Sequence, residues 1–233
     1  MKQVFFFAIM LLLIMSGCHQ LTGSGNIIKQ DRNTEPFKGI SAGSAFEVEI
    51  NSGSSNKVTV ECDDNHMPYI KTKVVNGVLK ISTSRLGAFT DAHMKVFVTA
   101  PEIDFINASG AATIKANNEL KSADKINLES SGAATIKATV DAPQIFTEAT
   151  GASTIELSGR TQKYTAKASG SADLKTTDLQ SETTEITASG ASSAHVHASV
   201  SLIATASGAA DIHYRGAGSL KKKTSGAANI NPE

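Results

Sequence analysis

A Ser-Gly or Thr-Gly pair recurs through the second half of this chain at a nearly constant interval. The copies are Ser109-Gly110, Ser131-Gly132, Thr150-Gly151, Ser169-Gly170, Ser189-Gly190, Ser207-Gly208 and Ser225-Gly226. Successive glycines lie 22, 19, 19, 20, 18 and 18 residues apart. A period near twenty with β-type residues specifies stacked coils, each leaning on its neighbours. Two residues after each Gly the chain places Ala or Ser, and four after it Ile, Leu or Ala (Ile114, Ile136, Ile155, Leu174, Ala194, Ile212, Ile230). Strand side chains alternate, so these even offsets point inward and the polar odd offsets outward. Each Gly is expected at a corner in a left-handed conformation.

Between the two faces run linkers that often hold one apolar residue: Leu120, Val140, Leu179 and Val200. They predict a third, shorter face and a triangular coil. The fold class expected is all-β, a right-handed parallel β-helix with about 18–22 residues per coil. Seven coils would make a rod of roughly 35 Å.

Residues 1–17 read as a lipoprotein signal peptide. Lys2 supplies a positive start, Val4 to Met15 is an apolar run, and Met15-Ser16-Gly17 leads into Cys18. The run has the length of a signal-peptide core and is too short to span a bilayer. Cys18 is the expected lipid-bearing residue, which implies a membrane partner through the N-terminal lipid. Cys62 is then the only free thiol, no internal disulfide is available, and its spacing from Val58 and Val60 places it in the core. Residues 18–35 read as a flexible tether, rich in Gly, Ser and Asn. Residues 36–100 form an N-terminal β region, with an Asn76-Gly77 hairpin turn and loops at Gly53–Asn56 and Arg85–Ala88. Residues 101–233 form the seven-repeat solenoid.

Twenty-two basic and twenty-two acidic residues balance, which points away from nucleic acid. Trp is absent and aromatics are 5%, so stacking platforms for sugars or bases are scarce. No cofactor is implied.

The strands Phe46–Ile50 and Val78–Ile81 and the Ser-Gly-Ala-Ala-x-Ile repeats resemble a bacterial family, the auto-transporter adhesin head domain or head GIN family. The resemblance spans about residues 36 to 230. It implies an envelope-associated β-helix with an adhesin-like role and brings no catalytic motif.

The candidate binding ladder lies three and five residues after the glycines. It comprises Asp173, Lys175, Ser193, His195, Asp211 and His213, with His197 also outward. Imidazole with carboxylate can hold a zinc-type ion. A solvated polar ladder accounts for the same residues, and no metal is assigned. The Ser/Thr column beside the glycines reads as turn chemistry, not as nucleophiles. Lys221–Lys223 reads as a solvated edge.

The expected role is a lipid-anchored, non-enzymatic, adhesin-like module of the cell envelope with an unknown protein or glycan ligand. Alternatives are a periplasmic scaffolding protein or, more remotely, a carbohydrate-active or metal-dependent glycan-binding protein. No acidic cluster follows Cys18, which favours the periplasmic side of the outer membrane. Both ends of a solenoid carry open edges, and a homodimer through the end near Pro232 is compatible with the sequence. Mass spectrometry of the protein from the membrane fraction should show a chain starting at acylated Cys18, and Cys18→Ala should abolish the acylation. An unmodified Cys18 in the native protein would overturn the anchor.

Overall fold

The computed structural model describes residues 20–84 and 89–233. The signal peptide, Cys18 and the expected loop Arg85–Ala88 lie outside the described residues. Among the described residues there are strands and one short 3-10 turn, Met67–Tyr69.

The strands in chain order begin with β1 (Leu21–Thr22), β2 (Ile27–Arg32), β3 (Gly39–Ala42), β4 (Glu47–Ser52), β5 (Lys57–Asp63), β6 (Ile70–Val75), β7 (Val78–Thr83), β8 (Phe89–Thr90) and β9 (Met94–Ala100). The solenoid continues with β10 (Phe105–Ala108), β11 (Thr113–Ala116), β12 (Leu120–Lys121), β13 (Lys125–Ser130), β14 (Thr135–Asp141), β15 (Gln144–Ala149), β16 (Thr154–Ala168), β17 (Asp173–Thr176) and β18 (Leu179–Ala188). It ends with β19 (Ser193–Ala198), β20 (Ser201–Gly208), β21 (Asp211–Gly216), β22 (Ser219–Gly226) and β23 (Asn229–Pro232).

Two parallel ladders run the length of the rod. The strands preceding each Gly stack as one face, with β10 on β13, β13 on β15 and onward to β22. The strands following each Gly stack as the second, from β4 through β11 and β14 to β23. The inward positions are small or aliphatic, so the coils close on a thin core that runs unbroken from Phe37 to Ile230. Tyr164 is the largest buried side chain, and its hydroxyl meets Thr147 Oγ1 at 2.8 Å. Burial pushes that phenol up to about 12, so it is a core group with a satisfied hydroxyl.

The Ser-Gly corners form a third ladder, made of backbone. Every corner Gly has φ between 69° and 76°. The N–H one residue after each Gly donates to the carbonyl of the preceding Gly at 2.7 Å, as Ala133 does to Gly110 and Ser171 to Gly151. A methyl group at Gly170 would lie 2.8 Å from the Gly151 oxygen. The column starts one coil earlier than the repeat suggests, at Ser44 with φ 57°, whose carbonyl accepts from Ala111.

The hydroxyls beside these glycines do less than the sequence suggests. Among the described residues only Ser109 directs its hydroxyl to backbone, at 3.4 Å from the Ala42 oxygen. The corner is held by main-chain bonds instead, such as Ser131 N–H to Ala108 O at 2.9 Å.

The third face is real but short. Leu120, Val140 and Leu179 are buried on it. Gly159 takes their place in its coil, where an added methyl would sit 2.0 Å from the Val140 oxygen. Val200 departs from the expectation and is 56% exposed. Its coil is shorter, and its N–H bonds Glu182 O, so Val200 inherits the outward position of Glu182.

The expected flexible tether is largely built into the fold. β2 pairs antiparallel with β5 along its whole length, Ile28 against Cys62. β1 pairs with β8. Buried Asp63 accepts the N–H groups of Gly25 at 2.8 Å and His93 at 2.9 Å, and His66 Nε2 donates to Leu21 O at 3.2 Å. Burial pushes the Asp63 carboxyl up, yet those two N–H groups and nearby His66 hold it below its ordinary value. The Gly, Ser and Asn residues that read as linker are bonded in place, with Ser24 Oγ and Asn26 Nδ2 both donating to Asp64. Cys62 is fully buried, and desolvation pushes its thiol up to about 11.

The N-terminal coil is out of chain order. β7 and β9 stack beneath β3 and β4, while β10 and β11 stack above them. β6 then covers β7 and β5 covers β9, both antiparallel. The Asn76-Gly77 turn has both residues at positive φ, as a primed hairpin requires. At the other end β22 is exposed throughout, and Lys222 stands in register with buried Ala204. A charge at an inward position of a terminal strand discourages further stacking.

Gly77 and Gly170 share a positive φ, but nothing lies within 4 Å of a methyl at Gly77. Gly77→Ala should cost about 1–2 kcal/mol, the left-handed penalty alone. Gly170→Ala should cost at least ~1 kcal/mol more, from the clash with the next coil. Urea unfolding of both variants checks this; equal losses would remove the corner ladder as a distinct constraint.

Candidate functional site

The candidate ladder lies on the face that follows the glycines. In each coil before the last the residues two and four after Gly are buried, as Ala172 and Leu174 are, which forces the third and fifth to point outward. Parallel register then stacks like offsets. Asp173 aligns with Ser193 and Asp211, and Lys175 aligns with His195 and His213.

His195 and His213 stack ring on ring, with centroids 4.9 Å apart and an interplanar angle of 16°. That separation is the strand spacing itself. The two aspartates do not join them. Asp173 pairs with Lys175 at 3.4 Å, and Asp211 accepts from Asn229 Nδ2 at 2.9 Å. Among the described residues no three His, Cys, Asp or Glu side chains converge as a metal site.

The partner that His195 does find is Glu233. One carboxylate oxygen meets His195 Nδ1 in a short hydrogen bond, and the other lies 2.9 Å from Arg215 Nε. The hydrogen bond from His195 holds the Glu233 carboxyl below its ordinary value, against burial and with help from Arg215 and His213. Neither Arg215 nor Glu233 belongs to the ladder read from sequence. Both sit seven residues after their glycines, Gly208 and Gly226, so extending the offset count by one outward position finds them. His197 holds the same offset, and its Nδ1 accepts the Ser181 N–H at 3.3 Å.

A groove of about 530 Å³ runs along this face beside the fifth-offset column. One wall is Lys115, Lys137, Glu156, Lys175 and His195. The other is built from the short side chains Thr139, Ser158 and Thr177, and Ala138 and Leu157 lie between. Long side chains at one offset and short ones two residues on make the trough. Within it Lys137 and Glu156 pair at 2.5 Å. Lys115 forms no ion pair among the described residues. The groove is lined by both charges and by hydroxyls. It suits an extended polar ligand lying along the rod.

The repeat, the backbone corners and the N-terminal coil together are matched by a family model described as "putative auto-transporter adhesin, head GIN domain", over residues 36–218. The chain belongs to this head GIN family. Solved structures share the fold. A "putative adhesin" from Bacteroides fragilis superposes with a TM-score of 0.85 at 20% identity, over 91% of this chain and 100% of that one. A "putative lipid binding protein" from Parabacteroides distasonis gives 0.74 at 18% identity, over 92% and 99%. A "putative adhesin" from Parabacteroides merdae gives 0.69 at 17% identity, over 92% and 99%. At these identities the likeness is one of head GIN fold. No curated protein sequence matches the chain.

NMR titration of Glu233 should show a midpoint below the usual carboxylate value of about 4.3. His195→Ala should raise that midpoint more than Arg215→Ala does, since the His195 bond is the larger cause. The contact is therefore favoured above the midpoint and lost as pH falls through it. An unshifted Glu233 would show the tail to be free of the histidines.

Proposed function

We propose that this head GIN solenoid is a cell-envelope binding module that acts without catalysis, in an adhesin-like role. The observation that carries the reading is the groove beside Lys115, Lys137, Glu156 and Lys175. It is open, long and built from repeating offsets, so it offers a row of similar weak contacts at coil spacing. Such contacts gain strength by number. A polar chain, either a glycan or an extended protein segment, is the ligand class that fits. His195 and His213 would continue the lysine row, and Asp173, Ser193 and Asp211 would form the neighbouring row.

The family and its solved relatives support binding over chemistry. The lipid on Cys18 would hold the module to the outer membrane. The face of the membrane it occupies decides between an adhesin and a periplasmic scaffold. A glycan-binding role that depends on a metal has less support, because Asp173 and Asp211 turn to Lys175 and Asn229.

The test is binding of the purified protein to a glycan array and to matrix proteins, paired with protease access on intact cells. Lys115→Glu with Lys175→Glu should weaken any captured ligand on the order of tenfold, as expected for two exposed charges reversed. Unchanged binding in that variant would move the site off this face. Protection from protease until lysis would replace the adhesin reading with a periplasmic one.

A further inference from the structure

The N-terminal end of the rod carries a second groove, of about 660 Å³, between the edge strands β2 and β6. Its floor is Met67, Pro68 and Ile70, and its rim is basic: Arg32, Lys71 and Lys73. Among the described residues none of these cations has a carboxylate partner. The Arg32 Nε is buried without a hydrogen bond, and the guanidinium's other contact is the Met67 sulfur at 3.3 Å. Lys71 donates to the Pro68 carbonyl, at 3.2 Å. Lys73 stands directly opposite Lys80 across the β6–β7 pair. Like charges so placed repel, and among the described residues no ion pair relieves either. The nearest acid on β2, Asp31, is bonded to Thr59 and Lys57 on the other strand face.

The chain leaves the fold at this same end. Leu21 is paired in β1, and its carbonyl is held by His66, the residue next to Met67 of the groove floor. From Leu21 back to Cys18 is three residues, which span at most about 11 Å. Ile27 and Ile28, at the start of β2, are 43% and 37% exposed. A lipid on Cys18 would therefore press this end, and no other, against the bilayer.

We propose that the β2–β6 groove is a phospholipid headgroup site, taking an anionic phosphate on Arg32, Lys71 and Lys73 with Lys80 beside them. The exposed isoleucines meet the interface, and the rod stands with its far end, at Lys221–Lys223, pointing away. This rests on the anchor reading for the orientation; the headgroup site itself follows from the cations.

The experiment uses residues 18–233 carrying Cys18→Ser, so that no acyl chain contributes. Sedimentation is measured with vesicles of phosphatidylcholine alone and with 30% phosphatidylglycerol as the probe. Binding should require phosphatidylglycerol, and Lys71→Glu with Lys73→Glu should weaken it on the order of a hundredfold. Far-ultraviolet circular dichroism confirms that the variant is folded. Lys221→Glu with Lys223→Glu, at the opposite end, should leave binding within about twofold. Equal binding to both vesicles, or equal loss in the two variants, overturns the site. Mass spectrometry at Cys18 of the native protein reads the anchor separately. An unmodified Cys18 with phosphatidylglycerol binding intact removes the anchor and supports the headgroup site. An acylated Cys18 without lipid preference removes the site and keeps the anchor.

Discussion

The contact on which this structure depends is the one between successive corner glycines. Each coil closes by bringing an N–H to within 2.7 Å of the previous corner's carbonyl. The backbone there must be left-handed, and the space a Cβ would need is taken by that carbonyl. Both requirements exclude L side chains, so the position is Gly in all seven repeats. Among the described corners of this column only Ser44, with φ 57°, is another residue.

Once the corners are stacked, everything else is register. Equal offsets meet at the strand spacing, so a chemical property repeated in sequence becomes a stripe on the surface. His195 and His213 stack because they share an offset, and Lys115 and Lys137 line one wall for the same reason. The thin core of Ala, Ile and Leu leaves no room for a deep pocket between the faces. The grooves lie outside, where long and short side chains alternate across an odd offset. This makes the molecule suited to extended ligands more than to enclosed ones.

The two ends of the rod are handled differently. At the N-terminal end antiparallel strands cover the ladders, and buried Asp63 and His66 tie in the residues that lead from Cys18. At the C-terminal end β22 stays exposed, with Lys222 at an inward position. The asymmetry gives the rod a direction. It also separates the basic groove at one end from the polar groove along the side.

The sequence by itself determined the repeat, the inward and outward offsets, the Asn76-Gly77 hairpin and the burial of Cys62, because each follows from local periodicity or turn chemistry. The candidate ladder was legible in the same way, down to the register of His195 on His213. What only the tertiary structure decided is how those ladders are partnered. Asp173 turns to Lys175 on its own strand, Asp211 to Asn229 along its column, and Glu233 reaches His195 from the tail. Residues 18–35 read as a tether by composition, yet within them Leu21, Thr22, Ser24 and Gly25 are held by bonds to His66, Asn65, Asp64 and Asp63, some forty positions away. Val200 is exposed because its coil is short. Periodicity carries information only between like positions, whereas a side chain's partner is set by whichever group the closed fold brings within three ångströms.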